Sequence, residues 1–226
     1  MQCGYQSNTY LLRCPECRIW YSFPDNKTSS NQDEVTIVKT TDSPLPRIPR
    51  ISVGELTNPC LGGGLAIGKV YMIGGEAGSG KSTLLNQWCS ISSRKALNDS
   101  AEESTQELHE RSIRSYSVRS HYDVCSTSNL AMVIEIAELN GYEVVVIDSL
   151  QTMSDGDNVV GSMLGIKNCL QMILDSREAH PHITYIIVSQ LNGEGNFFGP
   201  QLIDHGVDVT LMFGVKGKDL RVLVAT

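Results

Sequence analysis

The stretch that most constrains the fold is an eight-residue segment, GEAGSGKS, which runs from Gly75 to Ser82. It fits the pattern G-x-x-x-x-G-K-[ST], with an apolar strand-like run before it and helical spacing after it. Glycines let a loop fold with consecutive N–H groups pointing inward at phosphate oxygens, and the following helix adds its positive N-terminal end. The segment therefore predicts a phosphate-binding loop (P-loop) between a strand and a helix.

The residue types in this loop predict contacts with the phosphates of a nucleotide. Lys81 would reach the β- and γ-phosphates, and the Ser82 hydroxyl would bind Mg²⁺. The residues expected around the phosphates form one continuous set: Gly75, Glu76, Ala77, Gly78, Ser79, Gly80, Lys81, Ser82 and Thr83.

Carboxylates are expected near such a loop for two purposes. Asp148 ends the apolar run VVVID, at the C-terminal end of a buried strand, where open α/β sheets place their ligands, and would orient the metal. Hydrolysis also needs a group that orients or deprotonates water. Glu102 and Glu103 follow the next strand-like run. On spacing alone, a catalytic glutamate and a solvated helix start are equally good interpretations.

The composition limits the class of protein. The 226 residues are enough for one α/β domain with a small appendage, and a formal net charge of −7 argues against coating nucleic acid through bulk attraction. Seven cysteines favour a reducing compartment, with some thiols as metal ligands and the rest buried. No segment approaches 18 consecutive apolar residues and the start lacks a signal core, so we expect a cytoplasmic protein without a membrane partner.

Three zones follow one another along the chain. Residues 1–23 contain cysteines and aromatics, residues 24–50 have a linker composition, and residues 51–226 alternate strand-like runs with helical spacing, as in a parallel sheet. The predicted strands are 69–75, 95–99, 143–149, 183–190, 209–214 and 220–225. The predicted helices are 81–91, 104–115, 129–140 and 160–178. Asn98 and Asp99 are polar residues in a strand that should be apolar, which the sequence does not explain.

A cysteine cluster in the first zone predicts a zinc site. Cys14 and Cys17 form a C-x-x-C knuckle and Cys3 lies nearby, so their thiolates could share one Zn²⁺. Three thiolates are one short of a closed structural site, and a doubled C-x-x-C pattern would place the fourth immediately before Met1. We expect an incomplete zinc site; a borrowed ligand, a water ligand or a site without metal are the alternatives.

Taken together, these segments resemble the bacterial RadA/Sms family, a branch of the RecA-like ATPases that acts in DNA recombination and repair. The resemblance is carried by CGYQSNTYLLRCPECRIW, by the run from Arg50 through the P-loop, and by SAEESTQ, VVVIDSLQTM and FFGPQLIDHGVD. It implies a RecA-like α/β core with a mainly parallel sheet, preceded by a small zinc-ribbon-like segment. By the resemblance, Glu102 becomes the expected catalytic glutamate, with Glu103 as its neighbour.

The resemblance also implies a function and partners. It implies ATP hydrolysis at the subunit interfaces of a homo-oligomeric, hexameric ring, with single-stranded or branched DNA as the substrate of a helicase-like motor in branch migration. A recombinase or a replicative helicase is the implied protein partner. Alternatives are a DnaB-like or phage replicative helicase core, and a non-motor ATP-binding module with weak hydrolysis.

Two departures from the family affect these expectations. A Lys-Asn-Arg-Phe-Gly motif and a Lon-protease-like domain follow the strand that matches LRVLVAT in the family, whereas this chain stops at Thr226. We therefore expect slow ATP turnover by this chain alone. The segment VSQLNGEG replaces the family's Gly-His-Val-Thr-Lys and is more similar to DnaB-type helicases. Its Gln190 could hydrogen-bond the γ-phosphate, or could be a surface residue at a strand end.

Two loops are candidates for DNA contact, residues 151–162 and 192–200, because such loops line the channel of RecA-like rings. Phe197 and Phe198 in the second loop could stack on bases or pack against a neighbouring subunit. A group of basic residues is expected to lie on a solvated helix face instead: Arg111, Arg114 and Arg119.

Overall fold

A computed structural model describes four ranges of the chain, residues 47–115, 122–191, 206–217 and 220–225. Several predictions concern residues outside these ranges: Cys3, Cys14, Cys17, Arg119, the whole loop 192–200 with Phe197 and Phe198, and the linker up to residue 46.

Strands and helices alternate through the described ranges. The strands are β1 (Arg50–Ile51), β2 (Leu65–Ala66), β3 (Val70–Gly75), β4 (Ala96–Ser100), β5 (Tyr122–Cys125), β6 (Val144–Asp148), β7 (Thr184–Gln190), β8 (Val209–Lys216) and β9 (Leu220–Ala225). The helices are α1 (Lys81–Ile91), α2 (Thr105–Ser115), α3 (Leu130–Asn140) and α4 (Met163–Ala179).

Seven of these strands form one sheet in the order β5-β4-β6-β7-β3-β8-β9. Neighbouring strands are parallel except for β8 and β9, which form an antiparallel pair, while β1 and β2 form a separate antiparallel ribbon. Because β3, β4, β6 and β7 point the same way, the segments that follow them meet at one edge of the sheet. The expected α/β class with a mainly parallel sheet is confirmed.

Apolar cores cover both faces of this sheet. In β6, Val145 and Ile147 belong to the core that includes α3 and α4, whereas Val144 and Val146 belong to the core that includes α1 and its Trp88. Side chains alternate between the faces of a strand, so a strand buried on both faces is apolar at nearly every position. This is why β6 and β7 could be predicted as short unbroken apolar runs.

The polar residues of β4 have partners inside the fold. Asn98 donates from Nδ2 to Oδ1 of Asn86 in α1 at 2.6 Å. Asp99 is fully buried, and its Oδ1 accepts from Cys125 Sγ at 3.1 Å and from the Thr127 N–H at 3.2 Å. Burial raises the pKa of Asp99 to about 6. The pairing accounts for the Asn98 amide N–H and for Oδ1 of Asp99, whereas the buried Oδ2 of Asp99 has no hydrogen-bond partner among the described residues.

The predicted elements agree closely with the observed ones. Helix α1 has the predicted bounds, and the largest shift is at the start of α4, predicted at residue 160 and observed at Met163. Strands β1, β2 and β5 were missed. The first two are only two residues long, and β5 is a four-residue strand at the sheet edge, so none carries a periodic apolar pattern.

Candidate nucleotide-binding site

The P-loop connects β3 to α1, and α1 begins at Lys81, so the N–H groups of its first turn face the loop. The geometry of the loop requires glycines, as two positions show. Gly80 has a φ of 102°, in the left-handed region that side chains disfavour. A Cβ on Gly75 would lie 2.1 Å from the carbonyl oxygen of Phe213. The backbone of the loop therefore makes the tight turn, free of side chains at these two positions, that the motif predicted.

Lys81 is folded against the loop that precedes it. Its side chain is buried, with 8% of the residue exposed, and Nζ donates to the carbonyl oxygens of Gly75 at 2.7 Å and Glu76 at 2.8 Å. Burial lowers the pKa of Lys81, while the carboxylates of Asp148 and Glu102 act in the opposite direction. The ammonium thus lies among oxygen acceptors that phosphate oxygens could replace.

The two residues predicted to bind the metal ion, Ser82 and Asp148, are in direct contact. The Ser82 hydroxyl donates to Oδ2 of Asp148 at 2.5 Å, across the junction of α1 and β6. Burial raises the pKa of Asp148, with Glu102 and Glu103 adding to the effect. A hydroxyl and a carboxylate are hard oxygen donors, and Mg²⁺ is usually held by one or two carboxylates together with substrate phosphates. These residues therefore fit a magnesium site completed by a nucleotide.

The two adjacent glutamates have different partners. Glu102 accepts hydrogen bonds at Oε1 from the Ser149 hydroxyl at 3.2 Å and from Gln190 Nε2 at 3.4 Å. Glu103 forms an ion pair with Arg111 of α2. Glu102 is thus the one that contacts side chains following β6 and ending β7, beside the P-loop.

Gln190 links three parts of this edge. It ends β7 and is paired with Gly75, the last residue of β3. Its N–H donates to Gln151 Oε1 at 3.4 Å, and Gln151 Nε2 donates to the Ser189 hydroxyl at 2.9 Å. The end of β7 is therefore hydrogen-bonded both to Glu102 and to the start of the loop 151–162.

One cavity of about 700 Å³ is lined by Lys81, Ser82, Glu102, Glu103, Asp148 and Gln190, together with Arg111 and Arg114 of α2. Both arginines were expected on a solvated helix face; Arg114 is exposed, whereas the Arg111 side chain is only 27% exposed. Their separation from Glu102 and Glu103 along the sequence could have indicated that these arginines lie near the site. Arg111 lies eight residues after Glu103, about two helical turns along a helix that begins beside the site.

A second cavity of about 710 Å³ shares Gly80 and Thr83 with the first. The first cavity extends toward the ends of β6 and β7, whereas the second extends toward Phe213 of β8 and Arg221 of β9. Arg221 donates from Nε to the carbonyl oxygen of Ser79 at 3.1 Å, which fixes it against the P-loop. Sequence reasoning missed this cavity because its walls come from distant parts of the chain.

The loop 151–162 is packed over part of its length. Met153 is buried, and Asp155 accepts hydrogen bonds from the N–H of Asn158 at 2.9 Å and from Asn168 Nδ2 of α4 at 2.8 Å. These hydrogen bonds lower the pKa of Asp155 to about 2. The exposed residues of the loop therefore lie in its middle, between positions 156 and 160, where Val159 is 79% exposed.

In the part of the chain that is described, no group of three or more histidine, cysteine, aspartate or glutamate side chains could hold a metal ion by itself. The Ser82–Asp148 pair needs no such group, because a nucleotide would supply further oxygens. Nor is any helix within the described ranges long and apolar enough to cross a membrane.

The P-loop follows β3 of a mainly parallel sheet, and acidic residues lie at the ends of β4 and β6 along the same edge, an arrangement typical of a RecA-like α/β fold. The fold is similar to that of a KaiC-like protein from the archaeon Pyrococcus horikoshii OT3, with a TM-score of 0.63 at 14% identity. The similarity covers 79% of this chain and 88% of that one.

Sequence comparison narrows the similarity to one kind of protein. The chain is 30% identical to the DNA repair protein RadA of Listeria monocytogenes serovar 1/2a, 29% to that of Streptococcus pyogenes serotype M3 and 28% to that of Helicobacter pylori strain J99. The alignments cover 98–99% of this chain and 52–53% of the relatives, so the chain spans about half their length. No family model matches. The expected resemblance to RadA is confirmed.

Proposed function

We propose that this chain is a RecA-like ATPase that acts in DNA repair. The observation that carries the proposal is the hydrogen bond between Ser82 and Asp148 beside Lys81, in a cavity that Glu102 also lines. These are the groups that phosphoryl transfer requires, namely a phosphate cradle, a metal-binding pair and a carboxylate near the reacting phosphate. The similarity to RadA proteins supports DNA repair as the setting.

Each side chain has a proposed step in the reaction. The P-loop N–H groups and Lys81 bind the phosphates, and Lys81 exchanges its bonds to the loop carbonyls for bonds to phosphate oxygens. Mg²⁺, held by Ser82 and Asp148, would neutralise charge on the phosphates. Glu102 orients the attacking water and accepts its proton. Gln190, bonded to Glu102, detects the loss of the γ-phosphate and passes the change to the loop that follows it.

DNA and oligomer contacts form the finer part of the proposal. Single-stranded or branched DNA would contact the loops 151–162 and 192–200 in the channel of a ring, which is hexameric by the family resemblance. The link between Gln190 and Gln151 supports coupling of the nucleotide to the first of these loops. The Gln151 side chain is hydrogen-bonded to the backbone N–H of Gln190 and to the Ser189 hydroxyl, while the Gln190 side chain contacts Glu102.

The proposed function is tested by measuring ATP binding and turnover with Mg²⁺, with and without single-stranded DNA. We expect ATP to bind and turnover to rise when DNA is added. Binding without DNA-stimulated turnover would assign the chain to non-motor ATP-binding modules. The absence of ATP binding in the presence of Mg²⁺ would contradict the proposal as a whole.

The second cavity is the proposed site for the nucleoside. It begins at Gly80 and Thr83, which it shares with the first cavity, the one that contains Lys81 and is called the phosphate cavity from here on. The walls of the second cavity include apolar residues such as Leu56 and Phe213. A nucleotide whose phosphates lie in the P-loop would therefore place its base against this surface. Aromatic and aliphatic side chains are the usual contacts of such flat, partly apolar groups.

Replacing Leu56 with asparagine should weaken ATP binding about tenfold, because a base would lose apolar contact worth roughly 1–2 kcal/mol. Leu56 is 91% exposed, so the change should leave the fold unaffected. The affinity for inorganic tripolyphosphate, which has no base, should stay unchanged. Both affinities can be measured by calorimetry.

Leu139 offers a matched control for this prediction. It is 78% exposed near the end of α3 and lines neither cavity. Leu139→Asn should leave both affinities at the wild-type value. Equal ATP affinity in Leu56→Asn and wild type would place the base elsewhere.

Zinc binding by Cys3, Cys14 and Cys17 stays a prediction, since these residues lie outside the described ranges. We expect purified protein to carry zinc at less than one ion per chain, because three thiolates leave a tetrahedral site incomplete. Cys14→Ser should lower the zinc content further, whereas Cys60→Ser, at an exposed free cysteine, should not. Metal analysis that finds no zinc in protein kept reduced and free of chelator would contradict the prediction.

A further inference from the structure

Helix α2 brings cationic side chains to the phosphate cavity. It begins two residues after Glu103, and Arg111 and Arg114 line the same cavity as Lys81. Glu103 and Arg111 form an ion pair in which both side chains are about three-quarters buried, with 25% and 27% exposed respectively. The pair therefore lies within the wall of the site rather than on open surface.

The partners of these groups leave Arg111 able to change its contact. Glu107, one turn before Arg111, accepts hydrogen bonds from the Ser104 hydroxyl at 2.7 Å and N–H at 2.9 Å, so it is already engaged. Glu103 contacts Arg111 through one oxygen, while its buried Oε2 has no hydrogen-bond partner among the described residues. A guanidinium can form paired hydrogen bonds to a phosphate as readily as to a carboxylate.

The charges of the cavity favour such an exchange. Its described walls carry three carboxylates, those of Glu102, Glu103 and Asp148, and three cationic groups, those of Lys81, Arg111 and Arg114. A nucleoside triphosphate brings about four negative charges, of which Mg²⁺ offsets about two. A γ-phosphate carries more negative charge than one carboxylate, so it would compete with Glu103 for the Arg111 guanidinium.

We propose that Arg111 is a ligand of the terminal phosphate supplied by the chain's own α2, and that Glu103 holds it in the nucleotide-free state. Binding of a nucleoside triphosphate transfers Arg111 from Glu103 to the γ-phosphate. This inference rests on the proposed function and deepens it, because it assigns a γ-phosphate contact to the same subunit that holds the P-loop. The rival explanation is that the ion pair only fixes the start of α2.

The two explanations predict different directions of change in one measured ratio when Arg111 and Glu103 are replaced. The quantity is the ratio of the dissociation constant of ADP to that of a non-hydrolysable ATP analogue, measured by calorimetry with Mg²⁺. Arg111→Ala should lower this ratio about tenfold or more while ADP affinity stays near wild type, because only the analogue has a γ-phosphate. Glu103→Gln should raise the ratio, because Arg111 loses its charged competitor. A purely structural pair would shift the ratio in the same direction in both variants, or in neither.

Two further variants secure the test. Arg111→Lys keeps the charge without the paired hydrogen bonds and should give an intermediate ratio, which covers the case in which Arg111→Ala fails to fold. Arg94→Ala removes an arginine from a surface pair with Glu143 at 2.8 Å, away from either cavity, and should leave the ratio unchanged.

Wild-type protein that binds neither nucleotide would overturn the proposed function. Wild-type binding with a ratio that is unaltered in Arg111→Ala and Arg111→Lys would overturn this inference alone.

Discussion

Replacing Lys81 with alanine should weaken ATP binding by about a hundredfold or more while leaving the fold intact. In the structure Nζ donates two short hydrogen bonds, to the carbonyl oxygens of Gly75 and Glu76, and phosphate oxygens would take the place of these acceptors. Charged hydrogen bonds of this kind to phosphate oxygens contribute roughly 1.5–3 kcal/mol each, so the loss of two predicts this decrease. Calorimetric titration with ATP and Mg²⁺ measures it.

Lys95 offers a matched control for the loss of a lysine-to-carbonyl bond. Its Nζ donates to the carbonyl oxygen of Asn140 at 2.9 Å, and it lines neither cavity. Lys95→Ala should bind ATP as wild type does. Wild-type affinity in Lys81→Ala would show that the phosphates bind elsewhere and that the P-loop assignment is wrong. Circular dichroism of both variants would separate a lost ligand from a lost fold.

Local sequence was sufficient for the parts of this site that one segment of chain determines. The P-loop needs glycine where φ is positive or where a Cβ would clash, and this requirement is visible in the sequence itself. Asp148 could be placed because a parallel strand buried on both faces is a short apolar run, and its last residue lies at the ligand edge. Neither prediction needs knowledge of a distant partner.

Local sequence could not distinguish the roles of the two glutamates. Glu102 and Glu103 are adjacent, and their roles diverge only because one contacts Ser149 and Gln190 while the other contacts Arg111. Such partners come from other strands and from the next helix, so sequence spacing carries no information about them. Only the family resemblance favoured Glu102.

The same limit applies to the polar residues of β4 and to the second cavity. Asn98 contradicts the apolar pattern of a buried strand until Asn86 of α1 is placed beside it. The wall of the second cavity combines residues 53–57 with Phe213 and Arg221. Propensity and periodicity describe a segment, whereas these features depend on which segments the sheet order brings together.

Replacing Glu102 with glutamine should preserve ATP binding and lower turnover by about 10²–10⁴-fold. The amide keeps the size of the side chain and can still accept from Ser149, but it cannot take a proton from the attacking water. Because Glu103 contacts Arg111 of α2 and not the side chains of Ser149 and Gln190, Glu103→Gln should retain most of the turnover. The two variants differ by one position in the chain, so each is the other's control for the loss of a carboxylate in this cavity.

Single-turnover measurements with ATP, Mg²⁺ and single-stranded DNA would test this pair, with binding measured separately so that a lost affinity is not mistaken for a lost reaction. Turnover that disappears in Glu103→Gln and persists in Glu102→Gln would reverse the assignment. Equal losses in both would indicate that Glu103 is needed to position its neighbour.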